Sequence, residues 1–355
     1  MDSVPTAVIE CDRLEHFTAD AAAAMGVTPA QSETYVDVLM QGSLRTLPAQ
    51  GQGVQSLPVY WDRIQRGVVV VDAEPEVVSR SPATALIDAH RCLGFVSATR
   101  AMELALDLAA ANSIGAVGVR DSTHFGIAAY YAMLAVPRGC IGLAFSNAGP
   151  EIAPWGGTEV ILGTNPWAVA VPAGRKFPVV LDMANSTSGK GMIGWHLKEG
   201  QPIPSDWALT DRGGRTEDAA EGMAGTLFPL GGVKGYGLSV VVDAITGVLT
   251  GSAFGRACFG HDWQNVGHLL VAIDVGAFGS PDQFRERMDA FIDQIRSAPR
   301  AGGVERIYLP GELEYLREQE RRAAGIPIEI ERLDALRALG AELGLATELP
   351  ATEAA

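Results

Sequence analysis

Cysteine, histidine and positive charge are all scarce in this sequence of 355 residues. Its 27 Lys and Arg residues are outnumbered by 42 Asp and Glu residues, so the formal net charge is −15. That charge repels phosphate backbones and anionic lipids, and the sequence therefore predicts no nucleic-acid partner and no membrane partner. The cysteines form no CxxC pair, which argues against a zinc ribbon, a redox dithiol or a disulfide framework. They are expected to be buried or inert thiols in a reducing compartment: Cys11, Cys92, Cys140 and Cys258.

Long hydrophobic runs are lacking too. The most apolar stretch, residues 238–249, is interrupted by Asp243 and is shorter than the ~20 residues that cross a bilayer. The first 15 residues contain acidic side chains and no basic segment followed by an apolar run, so no signal peptide is expected. The sequence therefore predicts a cytoplasmic protein.

Several common catalytic motifs are absent from the sequence. It contains no GxGxxG dinucleotide fingerprint, no GxxxxGK[ST] P-loop and no GxSxG nucleophile elbow. It also has no HxH or HExxH pair with the spacing of metal ligands. These absences disfavour a Rossmann domain, a P-loop enzyme, a serine hydrolase of the elbow type and a metal site.

The composition nevertheless predicts a large folded core. Hydrophobic residues make up 47% of the chain and charged residues 19%, which suits a globular protein of about two domains. Residues 1–75 are predicted to be mainly helical, and residues 76–280 to be a mixed α/β region with a polar excursion at about 187–225. Residues 281–355 are predicted to form charged helices, at 281–297, 313–324 and 330–343. The two helical ends are expected to pack together as one discontinuous domain.

One histidine lies where a catalytic group is expected. Residues 114–119 read as a strand and residues 124–136 as a helix, with a short polar loop between them. His124 would lie in the first turn of that helix, at the carboxyl end of the strand, where side chains face a crevice. The helix N-terminus would lower the pKa of His124 and keep its imidazole neutral at pH 7. A solvent-facing or capping histidine is the alternative, and His268 is expected to be a core histidine.

Three further segments place polar groups beside glycines or a strand end. In GGVKGYG, residues 231–237, the glycines let a ligand approach the backbone and Lys234 adds a cation, so a phosphate site and a plain tight loop both fit. Asp182 closes an apolar run, where a carboxylate binds a ribose hydroxyl, orients a histidine or forms a turn. Residues 163–166, GTNP, read as a turn with two hydrogen-bonding side chains.

In order along the chain, these segments resemble one family. The matching stretches, within about residues 86–328, are DSTHFGIAAYYAMLA, APWGG followed by GTNPWAVAVPA, PVVLDMANS, LFPLGGVKGYGLSVVVDAITGVLTG, GHLLVAID and GVERIYLPGE. They are similar to the type 2 malate/L-lactate dehydrogenase family, which includes sulfolactate and ureidoglycolate dehydrogenases, diketogulonate reductase and a cyclic ketimine reductase. The resemblance implies a non-Rossmann α/β fold, with a mainly antiparallel central sheet in the cofactor domain and a helical domain built from both chain ends. It also implies homodimers, and hydride transfer between NAD(P)H and a 2-oxo acid or a related imine.

The resemblance also assigns residues to a site. His124 falls on the family's active-site histidine, and Lys234 and Gly235 fall in the loop whose lysine contacts the cofactor. Lys190 stands where the family usually has arginine. The remaining positions that match cofactor or cleft segments are Asn147, Thr164, Asn165, Asp182, Met183 and Ala184.

The sequence departs from the family near residue 50. The usual pattern R-G-x-x-S-H-G-V-x-R-L-P is replaced by RTLPAQGQGVQSLP at residues 45–58, with about two residues inserted after Arg45. This places Gly51 at the family's serine, Gln52 at its proton-donating histidine and Ser56 at the arginine that holds the substrate carboxylate. Gln52 donates a hydrogen bond but does not titrate, and Ser56 cannot form a bidentate ion pair. Arg45, Gln52 and Ser56 are thus the predicted substrate-binding residues, in an altered substrate half.

The sequence leads to the hypothesis of a cytoplasmic, homodimeric NAD(P)-dependent oxidoreductase acting on a small molecule. Hydride would pass between the nicotinamide and a modified 2-oxo acid, a 2-hydroxy acid or a cyclic imine, in a specialised biosynthetic pathway. His124 is the predicted proton-transfer residue, and Gln52 is predicted to polarise or position the substrate. Two alternatives stay open: a family member that binds cofactor without redox turnover, and a lyase or isomerase on the same scaffold.

Overall fold

The computed structural model describes residues 5–50, 52–260 and 262–349. The α-helices in these ranges are α1 (Cys11–Ala24), α2 (Pro29–Arg45), α3 (Leu57–Gln65), α4 (Gly94–Asn112), α5 (Ala128–Met133), α6 (Lys190–Lys198), α7 (Ala219–Ala224), α8 (Val233–Asp243), α9 (Pro281–Arg296), α10 (Glu312–Ala324) and α11 (Ile330–Leu343). The strands are β1 (Thr6–Ile9), β2 (Glu76–Arg80), β3 (Thr84–Asp88), β4 (Ile114–Ser122), β5 (Cys140–Ser146), β6 (Pro150–Ile152), β7 (Leu162–Gly163), β8 (Trp167–Val171), β9 (Val179–Met183), β10 (Ala208–Leu209), β11 (Thr226–Leu227), β12 (Val266–Asp274) and β13 (Ile326–Glu329).

The largest sheet has seven strands in the order β2-β3-β4-β12-β5-β8-β9. Its neighbouring strands are antiparallel except β3 and β4, which run parallel. This confirms the predicted α/β fold with a mainly antiparallel central sheet. Helices α4 and α5 pack on one face, and the π-helical turn Ala244–Val248 that follows α8 packs on the other. Gly115 and Gly118 of β4 show the two faces: an added Cβ would meet Ala105 of α4 in the first case and Thr250 in the second.

The strand directions bring the predicted site segments to one edge of this sheet. Strands β4, β5 and β9 run parallel to one another, because one antiparallel strand separates each from the next. Their carboxyl ends therefore share an edge with the amino ends of β12 and β8. The loop after β4 carries His124, Asp182 and Met183 end β9, and Thr164 and Asn165 precede β8.

The two ends of the chain meet in space. Strand β1 pairs with β13 in an antiparallel two-stranded sheet, α10 packs on α2, and α11 packs on α3. The sequence misses both of these short strands, because it predicts helix at the N-terminal one and assigns no element between the helices at 313–324 and 330–343. Helix α9 is held elsewhere: Asp289 accepts hydrogen bonds from the backbone N–H groups of residues 174–176, in the turn between β8 and β9.

A smaller sheet, in the order β10-β11-β6-β7, forms a lobe with its own core. That core contains Ile152, Leu162, Ile193, Ile203 and Leu227. The excursion expected at 187–225 supplies α6, α7 and β10, whereas β6 and β7 come from residues 150–163. The lobe is therefore larger than the sequence predicts.

The predicted helix over residues 124–136 is wrong at its start. Only Ala128–Met133 is helical, and His124 lies in the preceding loop. Gly126 takes a φ of +76° in that loop, and the Tyr131 hydroxyl donates to the Phe125 carbonyl. These tertiary contacts override the helical pattern of the sequence.

Two other segments differ from what their sequences favour. The valine run at residues 68–71 favours a strand but forms none, because the N–H groups of Val68 and Val69 both bond to the carbonyl of Arg63 and close α3. The apolar residues 234–250 favour one helix, but α8 ends at Asp243 and continues as the π-helical turn.

The cysteines are free thiols, with Cys92, Cys140 and Cys258 buried and Cys11 half-buried. No helix within the described ranges is long and apolar enough to cross a bilayer.

Candidate active site

His124 contacts helix α3 through its Nδ1 atom. The Tyr60 hydroxyl lies 2.6 Å from Nδ1, and the backbone N–H of Gly126 lies 3.4 Å from the same atom. Because a backbone N–H only donates, Nδ1 acts as an acceptor and the proton of the neutral ring resides on Nε2. The Nε2–H group has no hydrogen-bond partner in the part of the chain that the structure describes. This arrangement leaves one protic group of His124 available to a substrate.

The imidazole of His124 is neutral across the physiological range. Burial, together with the positive charge of Arg63, lowers the pKa of His124 from 6.5 to about 3. The expected direction of this pKa shift is therefore right, but the expected cause is wrong, since His124 belongs to no helix N-terminus. A neutral imidazole can donate one hydrogen bond while it accepts another.

Tyr60 connects several groups of the substrate half. Its ring is buried and its hydroxyl bonds to His124, whereas the Ser56 hydroxyl donates to the Gly53 carbonyl at 2.5 Å. The Arg63 guanidinium lies 5.7 Å from the centre of the Tyr60 ring. Burial raises the pKa of Tyr60 well above its usual value, so its hydroxyl stays protonated. Tyr60 could have been found from the sequence by helical spacing. It lies four residues after Ser56, and residues four apart share one face of a helix.

The other predicted substrate residues have different surroundings. The half-buried side chain of Gln52 forms no hydrogen bond in the described chain, while its carbonyl accepts from Gln55 Nε2 at 3.0 Å. Arg45, in contrast, is buried in a 2.7 Å ion pair with Glu318 of α10. This pair holds α2 to α10, so a substrate contact by Arg45, which stays a prediction, would have to compete with Glu318. Gly51 lies outside the described residues.

The start of α8 has the features of an anion site. The Lys234 ammonium is exposed and has no hydrogen-bond or ion-pair partner among the described residues. The first two N–H groups of α8, at Val233 and Lys234, likewise lack an acceptor there. Gly235 permits this geometry, because a Cβ on it would lie 2.4 Å from the Leu230 nitrogen and 2.5 Å from the Asn185 carbonyl oxygen. Backbone N–H groups beside a free cation suit the phosphates of a nicotinamide dinucleotide.

Two of the predicted asparagines are committed to the protein itself. Asn147 donates to Asp243 at 2.9 Å and to the Ala253 carbonyl at 2.8 Å, while its Oδ1 accepts from Gly267. Asn165 accepts from Ala148 at 2.9 Å and donates to the Ser239 carbonyl at 2.8 Å. Both side chains are buried, so they brace the wall of the cleft instead of offering free groups to a cofactor.

Asn185, which sequence reasoning passed over, joins the predicted cofactor segments. Its N–H donates to the Thr164 carbonyl at 2.8 Å, and its carbonyl accepts from Leu230 at 2.9 Å. The GTNP turn, the end of β9 and the start of α8 thus form one hydrogen-bonded unit. The Thr164 hydroxyl has no partner in the described chain, which leaves it free to bind a ligand. The sequence signal that could have found Asn185 is its place in LDMANS, one of the stretches that resemble the family.

Asp182 lies near the carboxyl end of β9, which packs against α5. Its side chain is exposed to solvent, and its Oδ2 accepts from the backbone N–H of Ala129 at 2.9 Å. Desolvation by the surrounding protein raises the pKa of Asp182 to about 6. A carboxyl group that ionises near neutral pH can accept a hydrogen bond from a ribose hydroxyl. Met183 and Ala184 follow it at the half-buried end of β9.

Lys190 has a structural role in this fold. Its ammonium donates to the carbonyls of Gly222, Met223 and Gly225, at 2.8, 2.7 and 2.7 Å, around the end of α7. These bonds use all three of its donors, so a cofactor contact would require one of them to break. The structure therefore argues against Lys190 as a cofactor ligand.

His268 is buried in the core, as the sequence predicts. Its ring nitrogens lie 3.0 Å from the Ser146 hydroxyl and 2.9 Å from the Ser122 hydroxyl. The Phe125 ring stacks on it with a centroid separation of 4.5 Å. His268 thereby supports the loop that carries His124. Among residues 5–50, 52–260 and 262–349, no group of three or more His, Cys, Asp or Glu side chains could hold a metal ion.

Comparisons with known proteins identify one family. The malate/L-lactate dehydrogenase family model matches residues 9–337. The chain is 36% identical over 330 residues to the L-sulfolactate dehydrogenase of Methanothermobacter thermautotrophicus, covering 92% of this chain and 94% of that one. The crystal structure of malate dehydrogenase from Entamoeba histolytica superposes with a TM-score of 0.92 at 30% identity, covering 98% of this chain and all of that one.

Relatives with different cofactors are similar to this chain. The (2R)-3-sulfolactate dehydrogenase (NADP(+)) of Chromohalobacter salexigens is 32% identical, covering 88% of this chain and 92% of that one. The ureidoglycolate dehydrogenase (NAD(+)) of Escherichia coli K12 is 29% identical, covering 85% of this chain and 87% of that one.

Proposed function

The chain belongs to the malate/L-lactate dehydrogenase family and is an NAD(P)-dependent oxidoreductase of 2-oxo and 2-hydroxy acids. We propose that its own substrate is a modified 2-oxo acid and not pyruvate or oxaloacetate. One observation carries this proposal. By the resemblance, Ser56 stands at the position of the family's substrate-binding arginine, four residues before Tyr60, whose hydroxyl lies 2.6 Å from His124 Nδ1. A hydroxyl cannot replace a bidentate guanidinium, so a small 2-oxo acid loses its usual partner at this position.

The cofactor half of the cleft supports NADH or NADPH binding. We assign Lys234 and the free N–H groups of α8 to the phosphates, and Asp182 and Thr164 to hydroxyl groups of the nucleotide. When bound there, the nicotinamide supplies or accepts a hydride. Gly235 lets the start of α8 approach the segment after β9 closely, because a larger residue would collide with backbone atoms of Leu230 and Asn185.

The proton-transfer step falls to the substrate half. Reduction of a ketone places a proton on oxygen. His124 would transfer its Nε2 proton to that oxygen and the ring would then regain a proton from solvent, while Tyr60 keeps its hydrogen bond to Nδ1. Gln52 would donate a further hydrogen bond to the carbonyl or to an acid group, without a change of charge. In the reverse direction Nε2 would first lose its proton to solvent and then accept the proton of the substrate hydroxyl.

A cyclic imine is the second candidate substrate. The neutral state of His124 favours it, because an imine that arrives protonated needs no strong acid from the protein. Gln52 suits this substrate as well, since an amide can orient a ring without competing for its proton.

The decisive experiment measures oxidation of NADH and NADPH in the presence of pyruvate, oxaloacetate, 3-sulfopyruvate and a cyclic imine carboxylate. Turnover of 3-sulfopyruvate or the imine, with kcat/KM for pyruvate and oxaloacetate below about 10⁴ M⁻¹s⁻¹, is the expected result. Binding of cofactor without oxidation by any of the four would instead favour the alternative of a family member without redox turnover. A kcat/KM above that value for pyruvate or oxaloacetate would contradict the substrate proposal.

Cofactor binding can be tested at Lys234 separately. Lys234→Ala should weaken NADH or NADPH binding by ~1–3 kcal/mol, because a charge-assisted hydrogen bond to phosphate is lost. Calorimetry provides the measurement. Lys176→Ala is the matched control, since Lys176 pairs with Asp293 on α9, away from the cleft. Failure of the wild-type protein to bind either nucleotide would contradict the assignment of α8.

We further propose a homodimer in a reducing cytoplasm. The free thiols suit such a compartment. The surface of α8 and the segment after it supports a dimer, since its exposed side chains are apolar: Leu238, Val240, Val241, Val248, Leu249 and Phe254.

A further inference from the structure

Arg63 is a half-buried cation without an anionic partner. Its guanidinium lies over the Tyr60 ring, and it forms no hydrogen bond or ion pair with any described residue. Its neighbour Arg66, one turn further along α3, pairs instead with Asp62 at 2.9 Å and with Asp262 at 3.4 Å. Half-buried charges in proteins are normally paired, because removing them from water is costly. An uncommitted guanidinium of this kind suits an external anion.

The position of Arg63 on α3 relates it to the altered substrate motif. Ser56, Tyr60 and Arg63 are spaced by four and three residues, so they lie on one face of the helix. Tyr60 bonds directly to His124, which places this face against the proton-transfer group. Seven residues of helix advance roughly 10 Å, so the guanidinium of Arg63 lies about that much further along the helix than the side chain of Ser56.

We propose that Arg63 binds an acid group of the substrate and so takes over the anchoring that Ser56 cannot provide. A guanidinium matches the two oxygens of a carboxylate, or two oxygens of a sulfonate, with parallel N–H donors. Because the cation lies at position 63 and not at position 56, the protein can still bind an acid group, but in a 2-oxo acid of different shape. The inference rests on the proposed function for the identity of the substrate, although the anion site itself does not.

A binding experiment tests the site without turnover. Malonate, which carries a carboxylate at each end, is titrated into the NADH-loaded enzyme while nucleotide fluorescence is followed. Arg63→Gln should weaken malonate binding roughly 10- to 100-fold, and Arg63→Lys should weaken it less, because the charge remains but the bidentate geometry is lost. Arg66→Gln is the matched control and should change the dissociation constant less than about twofold, because its pairs are exposed. Unchanged malonate binding in Arg63→Gln, or no binding by the wild type, overturns the proposal.

Steady-state kinetics then identify which acid group is held. Loss of kcat/KM for pyruvate but not for methyl pyruvate assigns Arg63 to the carboxylate next to the carbonyl. Loss for oxaloacetate alone assigns it to a distal acid group. An equal loss for the acids and for methyl pyruvate overturns the proposal, because it would reveal a structural defect. Arg63-dependent malonate binding without NADH oxidation by any 2-oxo acid would refute the proposed function while leaving the anion site intact.

Discussion

At the scale of single residues, the chemistry depends on the hydrogen bond between Tyr60 and His124. Because the pKa of His124 is low, its imidazole is not protonated to imidazolium in the free enzyme at pH 7. Tyr60 fixes the tautomer instead, so that the Nε2 proton is available to the substrate. This pairing resembles catalytic sites in which a neutral imidazole serves as the electrophile.

Replacing His124 tests that assignment. His124→Asn should preserve the fold and cofactor binding but lower kcat roughly 10²–10⁴-fold, the usual contribution of a positioned proton donor. Tyr60→Phe should lower kcat up to about tenfold, because it removes one neutral hydrogen bond and leaves the imidazole in place. Stopped-flow measurement of NADH oxidation with a ketone substrate separates the two variants. Unchanged turnover of a ketone by His124→Asn would exclude His124 as the acid, whereas unchanged turnover of an imine alone would not.

The charge of Arg63 should be visible in the titration of His124. A nearby positive charge disfavours imidazolium, so Arg63→Gln should raise the pKa of His124 above about 3. It should stay below 6.5, because burial is the larger cause of the shift. NMR titration of the histidine ring protons measures this change. His268 serves for comparison, since burial and the neighbouring His124, and not Arg63, lower its pKa to about 3; a rise in the pKa of both histidines would indicate a general loosening of the fold.

The same residues show how far the sequence could predict the site. Lys234 and Gly235 were accessible from the motif alone, because a glycine-rich loop before a helix has a local meaning. Tyr60 could be found only through its helical spacing from Ser56, and Arg63 could not be found, since an arginine in an amphipathic helix is ordinary until its neighbours in the fold are known. Lys190 shows the converse limit, because its bonds to the carbonyls of α7 depend on tertiary structure.

At the scale of elements, two glycines of α8 allow a test of the proposed cofactor site. An added Cβ at Gly235 would collide with backbone atoms of Leu230 and Asn185, whereas nothing lies within 4 Å of a Cβ at Gly237. Gly235→Ala should therefore displace α8 from β9, lower Tm and weaken NADH binding at least tenfold.

Gly237→Ala is the matched control on the same helix. It should stabilise the protein by up to about 1 kcal/mol, because alanine favours the helix interior, and it should leave NADH binding unchanged. Thermal unfolding and calorimetry on the two variants supply the comparison. Equal NADH affinity in both variants would mean that the contact between α8 and β9 does not shape the cofactor site.

Element prediction succeeded where a pattern is local. Helices α9 and α11 lie where their alternation of apolar and charged residues places them, at Pro281–Arg296 and Ile330–Leu343. It failed before α5, where the Asp182 carboxylate of β9 accepts from the Ala129 N–H near the start of the helix and the Tyr131 hydroxyl of α5 bonds back to the carbonyl of Phe125 in the preceding loop. Strands β1 and β13 were missed because each has four residues and gains its partner only when the chain ends meet.

At the scale of the whole molecule, the segment 238–254 presents an inverted pattern. Its buried side includes Ser239, Asp243 and Thr246, while Val241 and Leu249 are 56% and 69% exposed. A contiguous apolar surface of this kind marks a protein contact in soluble proteins. A symmetric dimer would bury it twice about one axis.

Charge placed on that surface should therefore separate the subunits. Leu249→Asp would bury a carboxylate in each half of a dimer interface, and we expect the dimer dissociation constant to rise roughly 10²-fold or more. Sedimentation velocity over a concentration series measures it. Phe278→Asp is the control, because Phe278 is 84% exposed but lies after β12, outside the segment 238–254. A monomeric wild-type protein, or a Leu249→Asp variant that remains as dimeric as the control, would contradict the proposed interface. The same segment continues from the helix that carries Lys234, so monomers should also bind NADH less tightly. If the affinity for NADH falls as the dimer dissociates, assembly supports the cofactor site.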